Sequence, residues 1–91
     1  MSAEEGAAWG FFNRISETPF TEAIQVATDL ANGPTAAHAV TKKMLHEEWH
    51  VGIDQAIDME AWAQAQLMEK KDFRRAYEAF AAKRKPEFKG D

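Results

Sequence analysis

Apolar residues recur along this chain at helical spacing, and short breaks of glycine, proline or small polar residues separate the runs. Phe20, Ile24, Ala27, Leu30 and Ala31 share one face at intervals of three and four. Thr18 followed by Pro19 reads as the N-cap and first residue of that helix. Asn32-Gly33 ends it, and Pro34 opens the next, whose inward positions are Ala37, Val40, Met44 and Leu45. That helix is expected to fray near Trp49, ahead of Gly52. The clearest stripe is Ile53, Ala56, Ile57, Ala61, Gln64, Leu67 and Met68, which runs over about five turns. Phe73, Ala76, Tyr77 and Phe80 mark a last helix, with Asp72 as its cap, Lys83, Arg84 and Lys85 in its final turn, and Pro86 as its stop. At the start of the chain, Ser2 and Glu5 have the spacing of a capping box for a helix of barely two turns that Gly10 ends. Residues 11–16 read as a short extended piece. The pattern therefore predicts an all-α fold of about five short helices in a single domain spanning residues 1–91.

The chain is 91 residues long and 45% hydrophobic, which suits one small globular domain rather than a disordered tail. A domain of this size buries a modest fraction of its surface, so its stability leans on partners. No apolar run is long enough to span a membrane, and no secretory signal is read at the start. There is no cysteine, which excludes disulfides and thiolate metal sites and fits a reducing cytoplasm. The net charge of −4 hides an asymmetry. Lys70, Lys71, Arg74, Arg75, Lys83, Arg84, Lys85 and Lys89 crowd the C-terminal quarter, where the acids are only Asp72, Glu78, Glu87 and Asp91. Two readings follow. The cations of a solvated helix favour its C-terminal dipole, or a basic tail on an acidic body attracts a phosphate or an acidic partner.

One stretch matches a catalytic motif letter for letter. "HEEWH", His46 to His50, has the H-E-x-x-H spacing by which a helix offers two histidines to zinc and a glutamate as general base. A catalytic site needs a third protein ligand, and only Asp54, Asp58, Glu60 and the distant His38 are on offer, at no recognised spacing. The alternative is the polar end of a helix running out toward Gly52, with Trp49 and Val51 turned inward. No glycine-rich phosphate loop and no serine–histidine triad order appears. Trp9 and Trp62 are expected in a core or an interface.

The tail "DFRRAYEAFAAKRKPEFKGD", Asp72 to Asp91, resembles the C-terminal end of the enoyl-CoA hydratase/isomerase (crotonase) family, which commonly finishes with an Asp, then Ala-Phe, then Lys-Arg-x-Pro-x-Phe. "SAEEGAAWGFFNRI", "LANGPTAAHAVTKKML" and "GIDQAIDMEAWAQAQ" resemble earlier segments of that family in the same order. The resemblance implies the C-terminal helical domain of a cytoplasmic acyl-CoA enzyme, of the kind used in fatty acid metabolism, in which the catalytic β-core lies outside this chain. It implies no catalytic residue and no metal here. It implies no cofactor beyond the coenzyme A of the substrate, no nucleic-acid or membrane partner, and a trimer-type homo-oligomer. It further implies that Phe80 and Lys83 touch the nucleotide end of coenzyme A bound by a neighbouring subunit. Read from the residues alone, Phe80 completes the apolar stripe of Phe73 and Tyr77 while Lys83 reaches for solvent. The family often carries Glu-Gly where this chain has Arg75-Ala76. The competing class is a stand-alone helical binding module that uses its basic C-terminal helix.

Overall fold

Capping residues and helix breakers divide the chain as its pattern predicts. The computed structural model describes all 91 residues. It contains α1 (Ala3–Ala8), α2 (Pro19–Ala31), α3 (Thr35–Glu47), a 3₁₀ turn at Glu48–His50, α4 (Ile53–Met68) and α5 (Lys71–Ala81). The capping box of α1 closes in both directions. Ser2 N–H donates to Glu5 Oε2 at 2.8 Å, and Glu5 N–H donates to Ser2 Oγ at 3.1 Å. A Schellman motif ends the same helix. Gly10, at φ 76°, donates to the Ala7 carbonyl, and Phe11 donates to the Gly6 carbonyl. The turn brings the Phe12 ring over α1, so close that a Cβ at Gly6 would stand 2.5 Å from a ring carbon.

Two caps differ from expectation. Thr18 precedes Pro19 as the N-cap of α2, but its side chain makes no capping bond. Ser16 works instead, accepting from the Thr18 N–H at 3.0 Å and donating to Glu22 Oε1 at 2.6 Å. Arg14 donates to the other Glu22 oxygen at 3.1 Å. Asp72 is not the cap of the last helix. Lys70 holds that position, and the Asp72 carboxylate takes donors from the tail. Residues 11–16 form no strand, because no other extended segment lies beside them to complete a ladder.

The short connection after α3 folds α4 back against it as an antiparallel pair. Val40, Met44 and Glu48 face Leu67, Ala63 and Glu60 across the seam. Helix α5 packs on α4. Little is enclosed: Gly6, Ala63, Asp72 and Ala79 are the buried residues, and no large side chain is fully covered. The apolar stripes have the predicted spacing but lie open. Phe20 of α2 is 78% exposed, and Ile53 at the start of α4 is 80% exposed. Trp49, expected to turn inward, is 86% exposed. Trp9 and Trp62 also face outward, so they belong to no core within this chain. The Cα radius of gyration is 17.1 Å, against about 12 Å for a compact domain of this length. The accessible surface is 7843 Å², against about 5,300 Å² for a compact monomer of this mass. The molecule is a slab 45 × 38 × 19 Å, about two helices thick. No helix is long and apolar enough to cross a membrane.

Helix α5 also ends earlier than expected. Its last residue is Ala81, and Lys83 stands outside it at φ 53°. Lys83 N–H donates to the Phe80 carbonyl and Arg84 N–H to the Ala79 carbonyl, at 3.0 and 2.9 Å, a second Schellman motif with lysine where glycine is usual. A left-handed lysine costs about 1 kcal/mol relative to glycine. Lys83→Gly is therefore expected to raise the urea midpoint of the folded protein by a corresponding amount, with no change in helix content by circular dichroism.

Candidate functional site

A polar cluster lies where the tail returns to the start of α5. Gly90, at φ 78°, turns the chain so tightly against α3 that a Cβ there would stand 2.6 Å from Thr35 Oγ1. That turn aims two successive N–H groups at Asp72. Its carboxylate accepts from Lys89 N at 2.8 Å, Gly90 N at 2.7 Å and Arg75 Nη1 at 2.6 Å. Asp72 returns the bond through its own N–H, which donates to the Asp91 carbonyl at 2.8 Å. Arg75 bridges Asp72 to the Asp91 carboxylate, and Lys71 pairs with Asp91 at 3.5 Å. Asp72 is 4% exposed. Burial pushes its carboxyl up, but the Lys89, Arg75 and Gly90 donors outweigh that and hold it below the usual carboxylate range. Hydrogen bonding from Arg75 also depresses Asp91, and the two aspartates together raise the Arg75 guanidinium. An apolar contact backs the cluster. Phe88 shares a hollow of about 220 Å³ with Pro34, Ala37, Leu67, Phe73 and Ala76.

This arrangement redistributes the basic residues. Arg74 pairs with Glu78 at 2.9 Å, and Lys71 and Arg75 are taken up by aspartates. The cations left without a carboxylate partner include Lys83, Arg84 and Lys85, and these stand in the loop after α5 rather than on it. The basic residues of the C-terminal helix, Lys71, Arg74 and Arg75, are thus each paired with an acid, and those free cations lie beyond its end. Phe80, on the last turn of α5, is 84% exposed and offers its ring face to solvent. Lys83 does not stack one turn along the helix from it. The two are joined instead by the backbone bond of the helix-ending motif. Together they present an aromatic face beside a cationic loop.

The second cluster is acidic and lies across the α3–α4 seam. Glu48 Oε1 is enclosed and has no hydrogen-bond partner. Burial, and then the facing carboxyl of Glu60, push Glu48 above the usual carboxylate range. The H-E-x-x-H match falls here and the helix does not carry it. Helix α3 ends at Glu47, so His50 sits on the 3₁₀ turn rather than one helical turn above His46. His46 Nδ1 lies 3.1 Å from the Lys42 carbonyl. No group of three His, Asp or Glu side chains converges anywhere in the chain.

The family profile described as Enoyl-CoA hydratase/isomerase matches residues 1–91. A Rhodobacter capsulatus protein named "Probable enoyl-CoA hydratase" is 34% identical over 99% of this chain, which covers 36% of that protein. The 1,2-epoxyphenylacetyl-CoA isomerase of Escherichia coli is 32% identical over 99% of this chain and 35% of its own length. The chain thus spans about a third of the curated relatives it matches. Among solved structures, an enoyl-CoA hydratase/isomerase-class protein of Mycobacterium abscessus superposes with a TM-score of 0.94 at 34% identity. All of this chain and 36% of that one are covered. A Geobacillus kaustophilus protein titled as an enoyl-CoA hydratase gives 0.93 at 26%, over 100% of this chain and 35% of its own.

The two carboxyl clusters have opposite linkage to pH. Asp72 and Asp91, depressed in the folded state, stabilise it above the ordinary carboxylate range of about 4, and that contribution is lost as pH falls through their lowered values. Glu48, raised in the folded state, favours folding below that range and opposes it as pH rises through its elevated value. In urea unfolding followed against pH, Glu48→Gln is expected to be more stable than the parent at neutral pH. Asp72→Asn is expected to be less stable there and to lose much of the parent's acid sensitivity.

Proposed function

Because the chain belongs to the enoyl-CoA hydratase/isomerase family, we propose that it is the C-terminal helical part of an enzyme that adds water to, or isomerises, an enoyl-CoA thioester. Its work there is to cover the catalytic core and to build the subunit assembly, of trimer type, in a cytoplasmic enzyme. The observation that carries this reading is the uncovered apolar surface. Large apolar side chains such as Phe20, Trp49, Ile53 and Phe80 lie open, and the total accessible surface, polar and apolar together, is some 2,500 Å² more than a compact monomer of this mass would show. That excess exceeds what a standard protein–protein interface buries, so a second body of protein is needed to cover it. A chain that spans about a third of its relatives leaves room for that body in the remaining two thirds or in a second copy.

The chemistry of the reaction is assigned outside these residues. A thioester oxyanion needs paired N–H donors aimed into a dry pocket, and such donors usually lower the barrier more than any other single group. The successive N–H pair of Lys89 and Gly90 is already spent on Asp72. The family chemistry needs no cofactor beyond the coenzyme A of the substrate. Phe80 and Lys83 contribute binding rather than catalysis. An exposed aromatic face can stack on adenine, and an ammonium can meet a phosphate of the same nucleotide. Both are exposed, where a neighbouring subunit's ligand would reach them.

Two measurements test the reading. The 91-residue chain, purified alone, is expected to hydrate no short enoyl-CoA, and turnover by it would defeat the assignment. In the full-length enzyme, Phe80→Ala and Lys83→Ala are each expected to raise KM for the CoA ester about tenfold and to leave kcat nearly unchanged, since stacking on a base and a charge-assisted phosphate contact are each worth a little over 1 kcal/mol.

A further inference from the structure

We propose that Arg75 and Asp91 are positioning residues for the coenzyme A contact: their ion pair pins the tail and so fixes the loop that carries Lys83, Arg84 and Lys85. This inference rests on the function proposed above and deepens it from which residues meet the nucleotide to what holds them there.

The loop is tethered at both ends. At its start, the Lys83 and Arg84 N–H groups close onto the Phe80 and Ala79 carbonyls. At its far end, the Lys89 and Gly90 N–H groups close onto Asp72, which lies at the opposite end of α5. The helix between Asp72 and Ala82 is about 15 Å long at 1.5 Å per residue. The segment from Ala82 to Lys89 that runs back along it can span about 23 Å when fully extended. Fixing both ends limits the slack to about 8 Å. Pro86 removes more of it, since it locks its own φ and holds Lys85 to extended backbone. Loosening the far end loosens the loop that presents the cations, even though the change happens a full helix length away.

Arg75 and Asp91 are the part of this latch that can be altered without touching the loop. Asp72 keeps two backbone donors without them, and Asp91 keeps its main-chain bond to Asp72. Their side chains add the cross-link between helix and tail, with Lys71 closing on the same aspartate. Position 75 supplies the helix end of that cross-link. An arginine there finds its partner at Asp91, sixteen residues on. A loop ordered before the ligand arrives does not spend binding energy on ordering itself, and that is where the pair acts.

The test compares two substrates in the full-length enzyme carrying Asp91→Ala or Arg75→Gln. One is the CoA ester. The other is the same acyl group on pantetheine, which has the reacting thioester but no nucleotide. The expected result is a KM for the CoA ester raised about fivefold, with kcat and the KM for the pantetheine ester unchanged. Equal losses with both substrates would mean that the pair supports the whole fold, and would overturn the proposal. So would an unchanged KM for the CoA ester in an enzyme where Lys83→Ala raises it, and in that case the nucleotide contact itself would stand. If Lys83→Ala also has no effect, the contact and its positioning fall together.

Discussion

Burial is what this chain lacks, and its organisation follows from that shortage. Folding costs about 1–2 kcal/mol of backbone entropy per residue, and apolar area removed from water is the usual compensation. Here the buried hydrophobic residues are Ala63 and Ala79, which are among the smallest side chains available. The larger apolar residues, from Phe20 on α2 to Phe80 on α5, stay in contact with solvent. What the chain does hold by itself is polar rather than apolar: helical backbone bonds, two Schellman motifs, a capping box and the Asp72 cluster. These fix the shape of a slab whose faces remain to be covered. The structure is therefore specified in detail before it is stable, and its stability is completed by whatever docks on it.

Helix positions were legible because they depend on neighbours within a turn or two. Ser2 with Glu5, Gly10, Pro19, the Gly33-Pro34 pair and Gly52 each act on adjacent backbone, and each marks the boundary its chemistry implies. The Asp72 cluster was not legible, since its donors come from seventeen and eighteen residues downstream. An aspartate ahead of an apolar run looks like a cap from sequence, and only the returning tail gives it another task. The end of α5 was misplaced for a related reason. Lys83, Arg84 and Lys85 are good helix formers with nothing local to stop them before Pro86. The bond from Arg84 N–H to the Ala79 carbonyl ends the helix sooner. Periodicity tells which residues share a face and not what covers that face, and stripes this apolar on so short a chain leave surface that needs cover.

The H-E-x-x-H match shows how little a spacing means apart from its helix. The two histidines would share a face only if the α-helix ran unbroken from His46 to His50, and it tightens to a 3₁₀ turn after Glu47. The residue between them that acquires an unusual environment is Glu48, through burial against α4 and the nearby Glu60 carboxyl. A carboxyl pair on a helix seam strains the folded state at neutral pH. The aspartates of the tail, each answered by arginine, do the reverse.

The latch at Asp72 also has a place in time. Its partners are separated by fewer than twenty residues, and one arm of the intervening loop is already helix. Loops of this size close in well under a microsecond, whereas docking of separate bodies takes milliseconds to minutes and depends on concentration. The tail can therefore be in position long before α2 or α4 meets a covering surface. In the order of assembly, the outward-facing end of α5 would be finished first and the broad apolar faces last.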